Sequence, residues 1–369
     1  MSRILGRIRA GGALVCVMAT ALACATPAGT TGPTATAAAT GAGATSSAAI
    51  SPAASPTEAE QATIRVATNW VTPQADHSGI VTAIVLGYYE EENLDVEVQW
   101  LQGSAAAVQQ VGAGSADVGM AGSDTILGGL AEDLPVIVVG NVMQKTPTGV
   151  VYPGGQSYST FADFAGTKIS TSQVGPEAPT LISRLQEAGL DPQSDVELVY
   201  VDPQAKCTVM LTGDTDACTG FNTFQLLQVR QEDPDAGFLS FSTTDRPLLG
   251  HSIFASTSYL EQNADVVRRF LRATARGYAE ADKDFEKAAD YVLEVNPDSG
   301  DHEFLRESID TMHTELLHSE RTEAHGWGWM EDAPWQNLQS LLLSGDVITT
   351  ETPVDEIYTN EYLPEDVDF

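Results

Sequence analysis

Basic side chains are scarce in this chain. Thirteen arginines and five lysines stand against 51 acids, for a formal charge of −33. Such a surface repels nucleic acid and anionic membrane, because binding to either needs cations facing phosphate and the long-range field slows encounter. A strongly anionic ligand is disfavoured for the same reason. Cysteine is also rare, at four residues. Cys16 and Cys24 lie near the N-terminus, which leaves Cys207 and Cys218 in the body of the chain. Those two pair in an oxidising compartment or stay as buried thiols, and their spacing leaves both open. It is neither the spacing of a metal cluster nor that of a redox pair. Among six histidines, His313 and His318 are five apart and miss the i,i+4 spacing of a helical metal site. After the N-terminal segment, no apolar run approaches the roughly 20 residues that span a bilayer.

The N-terminus is the most informative stretch. Arg3, Arg7 and Arg9 precede an apolar run from Ala10 to Ala23 that closes on Leu22-Ala23-Cys24. A positive head, a short apolar segment and small residues at the break have the layout of a secretory signal. Cys24 at the break points to cleavage before it and lipidation, although Leu22 stands two places before the cysteine where such signals usually carry leucine three before. An ordinary secretory signal with an incidental Cys24 is the alternative. Either route exports the protein. Removing residues 1–24 leaves 15 basic side chains against the same 51 acids. Residues 25–62 are almost wholly Ala, Thr, Gly, Ser and Pro, with Glu58 and Glu60 as their only charges. They have nothing to bury and are expected to be disordered. As a flexible coil that segment would reach about 35 Å, enough to hold a domain off a membrane.

The 307 residues from Thr63 to Phe369 are enough for two lobes. Strands are expected at 64–68, 94–98, 116–120 and 135–139, alternating with helices at 78–92, 104–111 and 123–130. The rhythm restarts with strands at 168–170, 196–200 and 216–221 and helices at 176–188 and 205–211. This is the pattern of βα units on a largely parallel sheet. "GAGSADVGM" and "LTGDTDACTGF" have one shape in two places, which implies two similar lobes. The last third is helical, with Val267, Phe270, Leu271, Thr274 and Tyr278 as one apolar stripe capped by Asn263. Arg268, Arg269, Arg272 and Arg276 lie off that stripe, where a solvated face is expected.

Ligands of open α/β sheets bind beyond the carboxyl ends of strands, at the N-termini of the following helices. Four loops qualify. Asn69 and Trp70, with His77 further on, follow the first strand. Ser123 and Asp124 follow "ADVGMAG". Gly175 and Glu177 lie in the loop that opens the helix at 176–188, and Phe221 and Asn222 end the strand at 216–221. Each has a bland alternative: Trp70 as packing, Ser123 and Asp124 as caps, Glu177 as a partner of its helix dipole.

"TNWVTPQADHSGIVTAIVLGYYEEENLDV" resembles the opening of the thiamine-pyrimidine family. "GAGSADVGMAG", "TGVVYPGG", "FADFAGTKI", "GDTDACTGF" and "ADVVRRFLRATARGY" continue the likeness in order. That family includes solute-binding lipoproteins of ABC importers and enzymes that build the thiamine pyrimidine. The resemblance implies a type II periplasmic-binding-protein fold, two α/β lobes with mostly parallel sheets joined by a hinge. The chain is expected to leave the first lobe near Tyr152–Phe161 and return near Leu248–Phe254. The first lobe then comprises 63–155 and 251–369, and the second 156–250. The enzymes need a pyridoxal phosphate lysine and a histidine four residues on, and those positions here hold Ala121 and Thr125. A methyl group cannot form a Schiff base. Gly175-Pro176-Glu177 also departs from the phosphate loop of the enzymes, because proline removes a backbone donor. No cofactor is therefore expected. The resemblance implies a monomeric binding protein that takes a small flat ligand, partners an ABC permease and its ATPase, and attaches to the membrane through lipid. Thiamine pyrimidine precursors are the first expectation. Riboflavin, a sulfonate or nitrate, and a purely interacting lipoprotein are the alternatives, with a pyrimidine-synthase-like enzyme the least favoured.

Overall fold

A computed structural model describes residues 60–173 and 177–369. The signal, residues 25–59 of the expected tether, Cys24 and Gly175 lie outside the described residues, and Ala62, expected as the last tether residue, already opens β1. The chain opens on β1 (Ala62–Thr68), a 3-10 turn (Ala75–His77), α1 (Ser78–Val85) and α2 (Tyr88–Glu91). The single helix expected over 78–92 is thus two, because Gly87 takes a left-handed φ of 76° between them. A side chain disfavours that conformation, and glycine does not. β2 (Leu94–Trp100), α3 (Ser104–Gly112), β3 (Val118–Gly122), α4 (Ser123–Ala131) and β4 (Val136–Asn141) follow.

The second set is β5 (Thr148–Tyr152), β6 (Lys168–Thr171), α5 (Glu177–Glu187), β7 (Glu197–Tyr200), α6 (Lys206–Leu211), β8 (Ala217–Phe221), α7 (Gln225–Glu232) and β9 (Gly237–Ser240). β10 (His251–Ser256) then returns to the first set. The remaining helices are α8 (Thr257–Gln262), α9 (Ala264–Ala281), α10 (Phe285–Val295), α11 (His302–Thr311), a π-helical turn (Met312–Leu317), α12 (Glu320–His325), α13 (Asp332–Ser344) and α14 (Val354–Ile357).

Two five-stranded sheets result, in the orders β2-β1-β3-β10-β4 and β7-β6-β8-β5-β9. β3 and β8, which carry the two similar sequence strings, hold the central place in each. In each sheet four strands run in one direction, and one strand, β10 or β5, runs antiparallel to both its neighbours. These two strands are the first after each passage between sheets. They do not arrive through a right-handed βα crossover within their own sheet, so nothing holds them parallel. β5 already belongs to the second sheet, so the chain leaves the first over residues 142–147, earlier than the expected 152–161. It passes back to the first sheet over residues 241–250, between β9 and β10.

The stripe on α9 is fully buried against the first sheet's helices. α1 and α9 cross at two glycines: a Cβ on Gly277 would stand 2.0 Å from the Gly79 carbonyl oxygen, and one on Gly79 would meet the Tyr278 ring at 2.3 Å. Asn263 does not cap α9, since its amide donates back to the Tyr259 carbonyl at 3.1 Å. The arginine face is bonded rather than simply solvated. Arg269 is buried and donates to the Glu92 carbonyl at 2.6 Å and to Asp265. Arg268 pairs with Glu361, Arg272 with Glu92 and Asp366, and Arg276 with Glu91, so this face holds the C-terminal tail and the α2–β2 turn. Trp335, Leu338 and Leu341 of α13 lie in one apolar cluster with Ile126 of α4 and Leu181 of α5, so the C-terminal region joins both halves. Cys207 and Cys218 form a disulfide, with Cα atoms 5.2 Å apart, between α6 and β8. That resolves the question their spacing left open.

Candidate functional site

The loop after β1 carries the densest polar network. Asn69 is buried; its Nδ2 donates to Asp76 Oδ2 at 3.1 Å, and its Oδ1 lies 2.9 Å from His77 Nε2. His77 Nδ1 receives the Gln74 backbone N–H at 3.0 Å, which leaves the ring proton on Nε2 to donate to Asn69. Asp76 Oδ1 also lies 3.0 Å from that Nδ1. From β10, His251 Nδ1 comes within 3.0 Å of Asp76 Oδ2, off the line of a hydrogen bond. Burial pushes the Asp76 carboxyl up, but His77 and His251 outweigh it and hold the group well below the usual carboxylate range. Tyr278 of α9 donates to the Asp76 carbonyl at 2.5 Å, fixing this loop to the core.

A cavity of about 530 Å³ opens above this network, walled by elements of both sheets and of the C-terminal helices. Trp70, 41% exposed, lies on its wall with Phe221, Phe224 and Phe304. Phe224 and Phe304 meet edge to face, with centroids 5.5 Å apart. Gln74, Gln204, Gln225, Gln228 and Gln231 supply amides, while Asp298 and Asp301 supply carboxylates. Ser299 Oγ is buried on the wall without a hydrogen-bond partner among the described residues. A smaller cavity of about 180 Å³ shares Pro147, Phe221 and His251 with the first, and takes in Asp124 of α4 and Glu177 of α5. Burial holds the Asp124 carboxyl above its ordinary range, against the Thr125 hydroxyl and N–H bonds to Oδ1. Glu177 is bound by the buried Lys206 ammonium and by Thr219 Oγ1 at 2.7 Å. Among the described residues no arginine or lysine lines either cavity. A wall of aromatic faces, amides and carboxylates suits a planar ligand rich in hydrogen-bond donors.

The structure brings Asn69, Trp70, Asp124, Glu177 and Phe221 to these joined cavities. His77 is fully buried behind them, edge-on to Trp100, and orients Asn69. Ser123 is buried too, its hydroxyl donating to the Gly250 carbonyl at 2.6 Å and lying 2.8 Å from Ser252 Oγ. Asn222 faces a separate cavity with Lys145 and Arg321, donating to Glu315 at 2.8 Å. His77, at the end of the 3-10 turn, and Ser123, the first residue of α4, are buried beneath the cavity walls, whereas Asn222 turns away from Phe221 by the alternation of a strand and its exit.

Sequence reasoning missed His251, the glutamines and the 298–304 segment. Gln225, Gln228 and Gln231 recur at spacing three on one helix, a signal that could have marked the polar wall. His251 and Phe304 come from elements far along the chain, and only the return of β10 and the docking of α11 bring them in.

Residues 74–288, more than half of the chain, match the family described as "NMT1/THI5 like". The formylaminopyrimidine-binding protein of Halalkalibacterium halodurans is 22% identical over 300 residues, which cover 81% of this chain and 90% of that protein. The 4-amino-5-hydroxymethyl-2-methylpyrimidine phosphate synthase of Legionella pneumophila is 23% identical over 312 residues, covering 83% and 93%. Among solved structures, the periplasmic aliphatic sulphonate binding protein SsuA from Escherichia coli superposes with a TM-score of 0.64 at 15% identity, covering 83% of this chain and 96% of that one. This likeness shows the periplasmic-binding-protein fold.

Proposed function

Because the chain belongs to the NMT1/THI5-like family, we propose that it is the extracytoplasmic solute-binding subunit of an ABC importer. Its cargo is a flat heteroaromatic solute such as a pyrimidine precursor of thiamine. The observation that carries this reading is the cavity beside Trp70, with aromatic faces, an amide wall and no cation. Trp70 stacks on the ring, while Asn69 and the α7 glutamines pair with ring nitrogens or amino groups. Cys24 carries the lipid, and the segment after it is the tether. Among the described residues no helix is long and apolar enough to cross a membrane.

The synthase relative raises a second reading, which the residues do not favour. Ala121 is buried in β3, paired in register with Ser252. None of the five lysines lines either cavity, and Lys206, behind the smaller one, is already bound to Glu177. These residues do not fit pyridoxal phosphate.

Thermal-shift titration tests the proposal. Formylaminopyrimidine or 4-amino-5-hydroxymethyl-2-methylpyrimidine should stabilise the protein by about 2.7 kcal/mol at 100 times its Kd. Stabilisation by an alkanesulfonate alone would overturn the heteroaromatic reading.

A further inference from the structure

Three helices begin at the walls of the joined cavities. The partial positive charge of a helix N-terminus commonly holds an anion, so such a cleft could take a phosphate or sulfonate. Here each of the three ends already carries its own carboxylate. Asp124 stands in the first turn of α4, and Glu177 in the first turn of α5. Asp301 is the N-cap of α11, its Oδ1 accepting from the Glu303 and Phe304 N–H groups at 3.0 and 3.2 Å. Asp298 adds a fourth acid a few residues before that cap. Glu177 is offset by Lys206 and Asp124 feels His251, which lines both cavities, but among the described residues Asp124, Asp298 and Asp301 have no arginine or lysine beside them on these walls. With no arginine or lysine on either wall among the described residues, a bound anion would meet an excess of negative charge in a partly dry site, where charges interact strongly.

We propose that the site selects against negative charge on its ligand: it takes an uncharged or cationic heteroaromatic amine or alcohol and rejects the phosphate ester of the same compound. The inference rests on the heteroaromatic reading above and deepens it. It also explains how a lobed fold shared with a sulfonate-binding protein can serve a different ligand charge. The fold supplies helix ends, and the first-turn side chains decide whether those ends are open to an anion.

Calorimetric titration with two matched pairs tests it: 4-amino-5-hydroxymethyl-2-methylpyrimidine with its phosphate, and riboflavin with its 5′-phosphate. In the pair that binds, the alcohol should bind at least about 10-fold more tightly than its ester, equivalent to about 1.4 kcal/mol. The double variant Asp124→Asn, Asp298→Asn should narrow that ratio several-fold, read as ester affinity relative to alcohol affinity in the same variant. Equal or tighter binding of the ester would overturn the charge selection and leave the heteroaromatic reading standing. An unchanged ratio in the double variant would also overturn it, since these acids would not be reading the charge. Binding by none of the four compounds would overturn both.

Discussion

Asp76 and His251 meet across two distant segments of the chain, with Oδ2 of one 3.0 Å from Nδ1 of the other. The loop after β1 thus lies against β10, the strand that returns from the second sheet, at the floor of the larger cavity. His77 and Asn69 complete the setting on the other side of the carboxylate. The carboxylate therefore has a structural task as well as a place on the cavity wall.

Acid should unfold the protein in part through Asp76. Its folded-state pKa is depressed, so its stabilisation is present above the unfolded value near 3.9 and is lost as pH falls through the folded value. Asp76→Asn should cost about 1–3 kcal/mol at pH 7, because a charged acceptor in a buried network is removed. The deficit should shrink by pH 3. Urea denaturation at both pH values measures it, and an equal deficit at each would show that the charge is not what matters.

The disulfide should contribute through the unfolded state. Cys207 and Cys218 are 11 residues apart, and closing a loop of that size is worth about 2–3 kcal/mol. The double variant Cys207→Ala, Cys218→Ala should lower the denaturation midpoint accordingly. Wild-type protein in reducing agent should match it. A midpoint insensitive to reductant would mean that the bond is absent in solution.

Gly277→Ala should be among the most damaging small substitutions in the chain. The new methyl would stand 2.0 Å from the Gly79 carbonyl oxygen at the α1–α9 crossing, and overpacking of that kind costs about 1–3 kcal/mol or more. Gly128→Ala, where a Cβ meets nothing within 4 Å, is the control. Equal stability of the two variants would refute the close approach.

Much of this architecture is legible in the sequence, and the parts that are not share a cause. β1, α3, α4, α6 and β8 fall where periodicity and punctuation put them, because those signals are local. β5 and β10 escape notice because their apolar runs resemble any buried strand. Their antiparallel sense is fixed only by the passage between sheets. The same holds for the site. Trp70, Asp124 and Glu177 follow from the rule about strand ends. His251, Asp298 and Phe304 depend on elements that come together from more than a hundred residues away.

Membrane attachment should depend on Cys24. Cys24→Ser should move the protein from the membrane fraction to the soluble one in cells, with no change in the ligand-induced thermal shift. Retention through detergent-free washing would require a different anchor.

Trp70 carries the sharpest test. Its ring is 41% exposed and makes no ring stack within the protein among the described residues, so it is available to a ligand and contributes little to the core. Trp70→Ala should leave the thermal midpoint of the ligand-free protein nearly unchanged. It should cost roughly 2–4 kcal/mol of binding, the range for an aromatic that anchors an interface. Trp70→Phe should lose less, because a face remains for stacking. Binding should also quench indole fluorescence in the wild type and much less in Trp70→Ala. Trp327 and Trp335 are fully buried, one stacked on Tyr278 and the other near Tyr358, so a quench that survives in the variant would report movement of the C-terminal helices instead. A variant that binds as tightly as the wild type, or that unfolds, would make Trp70 a packing residue and remove the ring platform from the proposed site.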